Sequence, residues 1–234
     1  NILECKKIIP FASFIYFSNK LNKFMNDQIN QPHIFQEQLM SKIDSIIIKP
    51  GEIQDIKQLI QKESSLNFWK DEYAKIESLP LDNFNKSVNF QDLLAEYSKY
   101  KQKILEINSK FIIYLASKIK FLNFFQPINI FLLDHKKNYE FSLFDGFKES
   151  KNNYHDISMH SESLFFIFKN DFGYDTLTVN GCFNAPKKGF IKTTRSFAIG
   201  SLNSMGLKVN FNLIFNLKLV SFFFTLLRKV SKKL

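Results

Sequence analysis

The side chains best suited to hold a metal or act as nucleophiles are His33, His135, His155 and His160, with Cys5 and Cys182. Their spacing argues against both roles. A catalytic zinc needs three protein ligands converging at about 2 Å. No H-x-H, H-E-x-x-H or H-x-x-x-H pattern brings two imidazoles onto one ion. His155 and His160 lie in a passage from strand to helix, and surface or capping roles are expected for all four histidines. Neither cysteine belongs to a Cys-x-x-Cys pair, which excludes a zinc ribbon or a thioredoxin-like site. The chain contains no G-x-x-x-x-G-K-[ST], G-x-G-x-x-G or G-x-S-x-G, and only 7 Gly. Neither a phosphate-cradling loop nor a nucleophile elbow is expected.

Polar candidates remain. Asp171 and Asp175 flank Phe172-Gly173-Tyr174 and can present two carboxylates in one turn. The plainer reading makes Gly173 the C′ residue of a helix and Asp175 the start of a strand. Asn26-Asp27 and Asn180-Gly181 are turn residues first and site residues second. Asn26, Asp27, Asp171, Asp175 and Asn180 are therefore the substrate-side candidates. Lys187-Lys188-Gly189 reads as a loop that can meet phosphate, with solvated lysines as the default.

The elements that must carry these residues alternate in type. Ile8-Ile9 ends a buried strand ahead of Pro10, and Ile46-Ile47-Ile48 forms a short strand closed by Pro50-Gly51. Between them, Pro32 suits the first position of a helix that places Phe35, Leu39 and Ile43 on one face. The longest helix is predicted from about Gln91 to about Lys120, capped by Asn89. Its apolar stripe is Leu93, Tyr97, Tyr100, Ile104, Ile107, Phe111 and Leu115. After Pro127 the pattern becomes β: a hairpin of Ile128–Leu133 and Tyr139–Phe144, then a third strand at Ile157–Met159. A helix is predicted over Ser161–Asn170 and a strand over Asp175–Phe183, turning at Asn180-Gly181.

With 234 residues, 45% hydrophobic and 23% charged, the chain can bury a core. The 28 Phe accompany abundant Lys, Asn and Ile, which points to AT-rich codon usage and makes them weak evidence of stacking sites. Two cysteines and an N-terminus without a signal peptide imply a reducing, cytoplasmic setting. The N-terminus lacks Met and enters an apolar strand almost at once, as a fragment would.

The net charge of +10 has a definite location. From Thr176 to Leu234 the chain carries ten basic residues and no Asp or Glu. That asymmetry calls for an anionic partner. Residues 208–234 are too interrupted to span a bilayer, because Asn212, Asn216 and Lys218 break the apolar run. On a helical wheel Lys218, Arg228, Lys229 and Lys232 share one face opposite Leu219, Phe222, Phe223, Leu226 and Val230. With Lys233 they describe a basic amphipathic helix, suited either to the inner face of an anionic membrane or to docking on its own domain. Nucleic acid is the least favoured partner, since no reader motif accompanies the charge.

Two segments go further. Ile8 to Asn19, continuing to Phe24-Met25-Asn26-Asp27, resembles the late part of metallo-β-lactamase-fold hydrolases encoded with bacterial surface-polysaccharide genes, relatives of the CMP-sialic acid hydroxylase family. Ser161 to Phe183, containing F-G-x-D-x-L-x-V-x-G-x-F, resembles the C-terminal region of the same family, and Ile48–Ile53 fits its intervening strand and turn. The resemblance implies an α/β (α+β) chain: the end of a metallo-β-lactamase-like αββα domain over 1–55 and a helical insertion over 56–126. A small α+β subdomain over 127–207 and the basic tail over 208–234 complete it. Zinc or iron is implied for an intact member, with a nucleotide-sugar-like or glycan substrate. The family's H-x-H-x-D-H motif would lie before Asn1, in an N-terminal half that acts as partner. Ala12 and Asn19 stand where histidines are expected, so no metal ligand is assigned in this chain.

Overall fold

A computed structural model describes residues 7–11, 14–39, 43–84, 86–119 and 124–211. The chain is α+β and divides into two compact units, residues 1–83 and 84–234.

In the first unit, β1 (Lys7–Ile8) pairs in parallel with β2 (Asp44–Ser45). Between them lies α1 (Pro32–Leu39), which starts at Pro32 as its sequence demands; α2 (Glu63–Ala74) follows. The strand expected at Ile46–Ile48 is displaced to Asp44–Ser45, and the physical reason is side-chain capture of its backbone. Gln61 accepts from the Ile47 N–H at 2.7 Å and donates to the Ile47 carbonyl at 3.2 Å, while Trp69 Nε1 donates to the Ile48 carbonyl at 3.0 Å. Ile46 and Ile47 are nonetheless fully buried.

Glu52 sits beside this segment with its side chain only 3% exposed. The Ser65 hydroxyl donates to it, Gln54 donates to it and Lys62 pairs with it at 3.2 Å. The Ser65 hydrogen bond leads in holding the carboxyl down at about 2 against the ordinary 4.5, outweighing the opposing effect of burial. A depressed carboxyl contributes stability fully above its unfolded value and loses it as pH falls through the folded one. The first unit should therefore weaken as pH drops from 4.5 towards 2. Fluorescence of Trp69, the only Trp, reports this unit during urea unfolding. Glu52→Gln should flatten the acid dependence, and an unchanged slope in that variant would refute the assignment.

The second unit is built on a five-stranded sheet of order β5-β4-β3-β6-β7. It begins with α3 (Phe90–Ile107) and α4 (Lys110–Lys118), followed by β3 (Ile128–Leu132), β4 (Lys137–Ser142), β5 (Gly146–Glu149) and β6 (Ile157–Met159). Then come α5 (Ser161–Lys169), α6 (Gly173–Asn180), β7 (Phe183–Asn184) and α7 (Lys187–Ser204). The predicted hairpin pairs Ile128 with Phe141 and Leu132 with Lys137, and β6 lies parallel to β3. Alternation decides the faces. Ile128, Ile130, Leu132, Tyr139, Phe141, Ile157 and Met159 enter one core with Leu93, Tyr97 and Ile104 of α3, Leu164 and Phe168 of α5, and Phe197 of α7. The opposite face carries the cross-strand pair Lys148–Glu140 at 3.0 Å.

The second unit departs from the sequence expectations at four places. The long helix is two helices, because Asn108 and Ser109 adopt extended backbone. Asn108 Oδ1 accepts from the Val209 N–H at 2.7 Å, its amide bonds Asn203, and the Ser109 side chain caps α4. Such side chains offer the backbone an alternative to the helix. Phe111 and Leu115 consequently leave the stripe and are exposed.

The segment Asp175–Phe183 is helical to Asn180, not a strand. The buried residues Tyr174 and Leu177 of α6 are three apart, which suits a helix, while Val179 faces solvent. Gly173 opens α6 and is no C′ residue; that role falls to Gly181, which adopts φ 67° and donates to the Leu177 carbonyl at 3.0 Å. Lys187-Lys188-Gly189 is likewise the first turn of α7, a helix with Pro186 at its N-cap.

Candidate functional site

The densest group of chemistry-bearing side chains lies where the parallel strands β3 and β6 end and α5 begins. Asp134 follows β3, and His160 and Ser161 follow β6. Asp134 Oδ1 accepts from the Ser161 N–H at 2.9 Å, and its Oδ2 accepts from the hydroxyls of Ser87, at 2.6 Å, and Ser161. Ser161 Oγ in turn accepts from the Val88 N–H at 2.8 Å. His135 joins through its Nε2–H, which donates to the Val88 carbonyl at 2.8 Å, while its Nδ1 lies 2.9 Å from the Tyr139 hydroxyl. His160 stacks on Phe84 with ring centroids 4.4 Å apart, and its Nδ1 accepts from the Glu162 N–H. Both imidazoles stop just short of Asp134, with Nε2 atoms 3.8 Å (His135) and 3.7 Å (His160) from Oδ2.

This is a Ser, His and Asp constellation by composition, yet its wiring differs from a nucleophile relay. In a relay the imidazole stands between serine and carboxylate. Here Ser161, fully buried, gives its proton directly to Asp134. Burial by itself would raise the Asp134 carboxyl, but the Ser161 and Ser87 hydroxyls and the Ser161 N–H outweigh it and hold the carboxyl below its ordinary value. A carboxylate of lowered basicity is a poor base for a serine proton. The group instead ties three separate stretches, Ser87-Val88, Asp134-His135 and His160-Ser161, to the N-terminus of α5. The carboxylate there also complements the positive end of the helix dipole.

No local motif advertised this group, since its members are 27 and 47 residues apart along the chain. The available signal was weak: a serine opening a helix after a strand, and an Asp-His pair in a hairpin loop. Capping was the correct expectation for His160. His155 stacks on Phe131 with centroids 5.4 Å apart.

The five substrate-side candidates are divided between the two units. Asn26 clasps the Phe17 backbone, accepting from its N–H at 2.7 Å and donating to its carbonyl at 2.8 Å. Asp27 is an exposed residue of the 3-10 turn Lys23–Gln28. Both belong to the first unit, whereas the other three belong to the second. Asp175 accepts from the Ser201 hydroxyl at 2.8 Å and Asn180 from the Cys182 N–H at 2.9 Å, so each is engaged in local structure. Asp171 alone borders a cleft, where it pairs with Lys103. Lys218, Arg228, Lys229, Lys232 and Lys233 lie outside the described residues, as does Ala12. Asn19 forms an isolated parallel bridge with Asp82: its amide donates to the Asp82 carbonyl at 3.1 Å and its Oδ1 accepts from the Leu21 N–H at 2.9 Å.

Among the described residues, no three His, Cys, Asp or Glu side chains are placed to hold a metal ion. Burial pushes the Cys182 thiol up, which disfavours the thiolate needed for nucleophilic or metal chemistry. No helix among the described residues is long and apolar enough to cross a membrane. Compared with known protein families, curated proteins and solved structures, the chain matches none.

Proposed function

We propose that this chain is the C-terminal, substrate-side part of a metallo-β-lactamase-type protein concerned with surface-polysaccharide sugars, and that zinc or iron chemistry is contributed by a partner polypeptide carrying H-x-H-x-D-H. The sequence resemblance supports the family, and the α+β architecture is compatible with it. One observation carries the division of labour. The residues of the second unit best equipped for chemistry, Asp134, Ser161, His135 and His160, are engaged with one another and with the backbone that positions α5. They give the fold rigidity and leave metal binding to another part of the assembly.

Co-expression with a polypeptide carrying that motif tests the proposal. The purified complex should hold stoichiometric zinc or iron by elemental analysis, and the chain by itself should hold none. Failure of the two to copurify, or a metal-free complex, would sink the split-protein reading.

A further inference from the structure

Three helices of the second unit, α3, α5 and α7, enclose a cleft of about 130 Å³. Its floor is apolar, formed by Ile104, Ile107 and Phe168, and its rim carries Lys99, Lys103 and Lys169. Two carboxylates stand among the lysines: Glu96 pairs with Lys99 at 3.0 Å, and Asp171 pairs with Lys103. Lys169 lies over the Phe165 ring. Positive charge is thus in excess at the mouth.

Two observations mark the cleft as more than a packing gap. The first is Tyr100, which is only 9% exposed and lines the cleft. Its hydroxyl makes no hydrogen bond to any described residue, and burial alone drives its phenol strongly upward. The hydroxyl oxygen is not among the fully buried polar atoms, so it opens into the cleft, where water or an entering ligand can bond it.

The second is Gly200, inside α7. Glycine in a helix interior costs about 1 kcal/mol relative to alanine. At Gly173 and Gly189 close backbone contacts require it: an added Cβ would lie 2.5 Å from Ile167 Cα and 2.0 Å from the Asp156 carbonyl oxygen. At Gly200 nothing of the kind applies, because its Cβ would meet the Tyr100 hydroxyl at an ordinary 3.6 Å. What the missing side chain does there is keep the space above Tyr100 open.

We propose that this cleft is a binding site for a small organic phosphate built on a single ring, such as a hexose phosphate. The ring's C–H face would lie on Phe168 and the two isoleucines, a ring hydroxyl would bond Tyr100, and the phosphate would meet the lysine rim. A nucleotide is too large, since sites for drug-sized ligands occupy about 300–1,000 Å³. The assignment stands independently of the metallo-β-lactamase-type reading.

Isothermal titration of the full chain with glucose 6-phosphate, glucose and inorganic phosphate at low ionic strength tests it. Glucose 6-phosphate should bind with Kd below about 1 mM and at least tenfold more tightly than either of its parts. Tyr100→Phe should weaken it about five- to tenfold. Gly200→Leu, which fills the space while improving helix propensity, should abolish it with the circular dichroism spectrum unchanged. No binding at about 10 mM overturns the site. Equal affinity for inorganic phosphate or for glucose overturns the ligand class, as does unaltered binding in Tyr100→Phe should Gly200→Leu fail to fold.

Discussion

Asp134→Ala is expected to destabilise the chain by about 3 kcal/mol, a larger loss than most single substitutions produce. The carboxylate is the common acceptor for three donors, the Ser161 N–H and the hydroxyls of Ser161 and Ser87. Its side chain is only 10% exposed, so water replaces few of those bonds. Each stranded buried donor costs about 1–3 kcal/mol, and a bond to a charged acceptor is worth about twice a neutral one. The two hydroxyls can reorient, which keeps the total well below the sum of three such penalties. Loss of charge at the N-terminus of α5 adds up to about 1 kcal/mol. Urea denaturation followed by circular dichroism measures the loss. Asp134→Asn keeps one acceptor oxygen and should cost roughly half as much. A change below about 1 kcal/mol in the alanine variant would show that the network is not what anchors α5.

Gly189→Ala should be at least as damaging, although alanine is the better helix former by about 1 kcal/mol. Its Cβ would lie 2.0 Å from the Asp156 carbonyl oxygen and 2.9 Å from Asp156 Cα, and both are backbone atoms. Asp156 cannot retreat freely. Its N–H donates to the Asn129 carbonyl at 2.8 Å, its Oδ2 accepts from the Asn129 N–H at 2.8 Å, and Lys192 of α7 pairs with the same oxygen at 2.9 Å. Either α7 moves off the sheet or the join between β3 and β6 opens. Overpacking against fixed atoms typically costs about 1–3 kcal/mol, and here backbone on both sides sets the upper end or beyond. Gly200→Ala in the same helix is the internal comparison, expected to gain about 0.5–1 kcal/mol. Thermal melts of the pair should move in opposite directions. Parallel shifts would mean that α7 tolerates or rejects a methyl for reasons unrelated to Asp156.

Much of the second unit was legible from local pattern. The stripe Leu93, Tyr97, Tyr100 and Ile104 is buried as its spacing requires, Asn89 caps α3, and the hairpin and β6 fall where alternation placed them. These features depend on neighbours within a turn or a strand pair, so sequence suffices. Where it failed, a distant partner decided. Thr176, Thr178 and Val179 favour a strand by β-branching, but burial of Tyr174 and Leu177 against α5 and α7 makes the segment helical. Asn108 ends α3 because Asn203 and Val209, about a hundred residues away, complete its hydrogen bonds. β5 and α7 were missed because neither carries a long periodic apolar run. In the first unit, no local pattern singles out Gln36 and Gln61, and only the fold brings them onto the backbone of Ser45 and Ile47.

By itself the sequence determined the α+β class, the buried stripes, the basic and acid-free span from Thr176 onward, and the lack of any contiguous metal or phosphate motif. Each is a property of composition or of spacing within a few residues. Only the tertiary structure decided that Asp134, Ser161 and Ser87 share one hydrogen-bonded group, and that Asp171 borders a cleft while Asp175 does not. It alone showed that Gly200 faces Tyr100. Those facts depend on which remote segments are brought within about 3 Å, and packing of the shared core sets that distance.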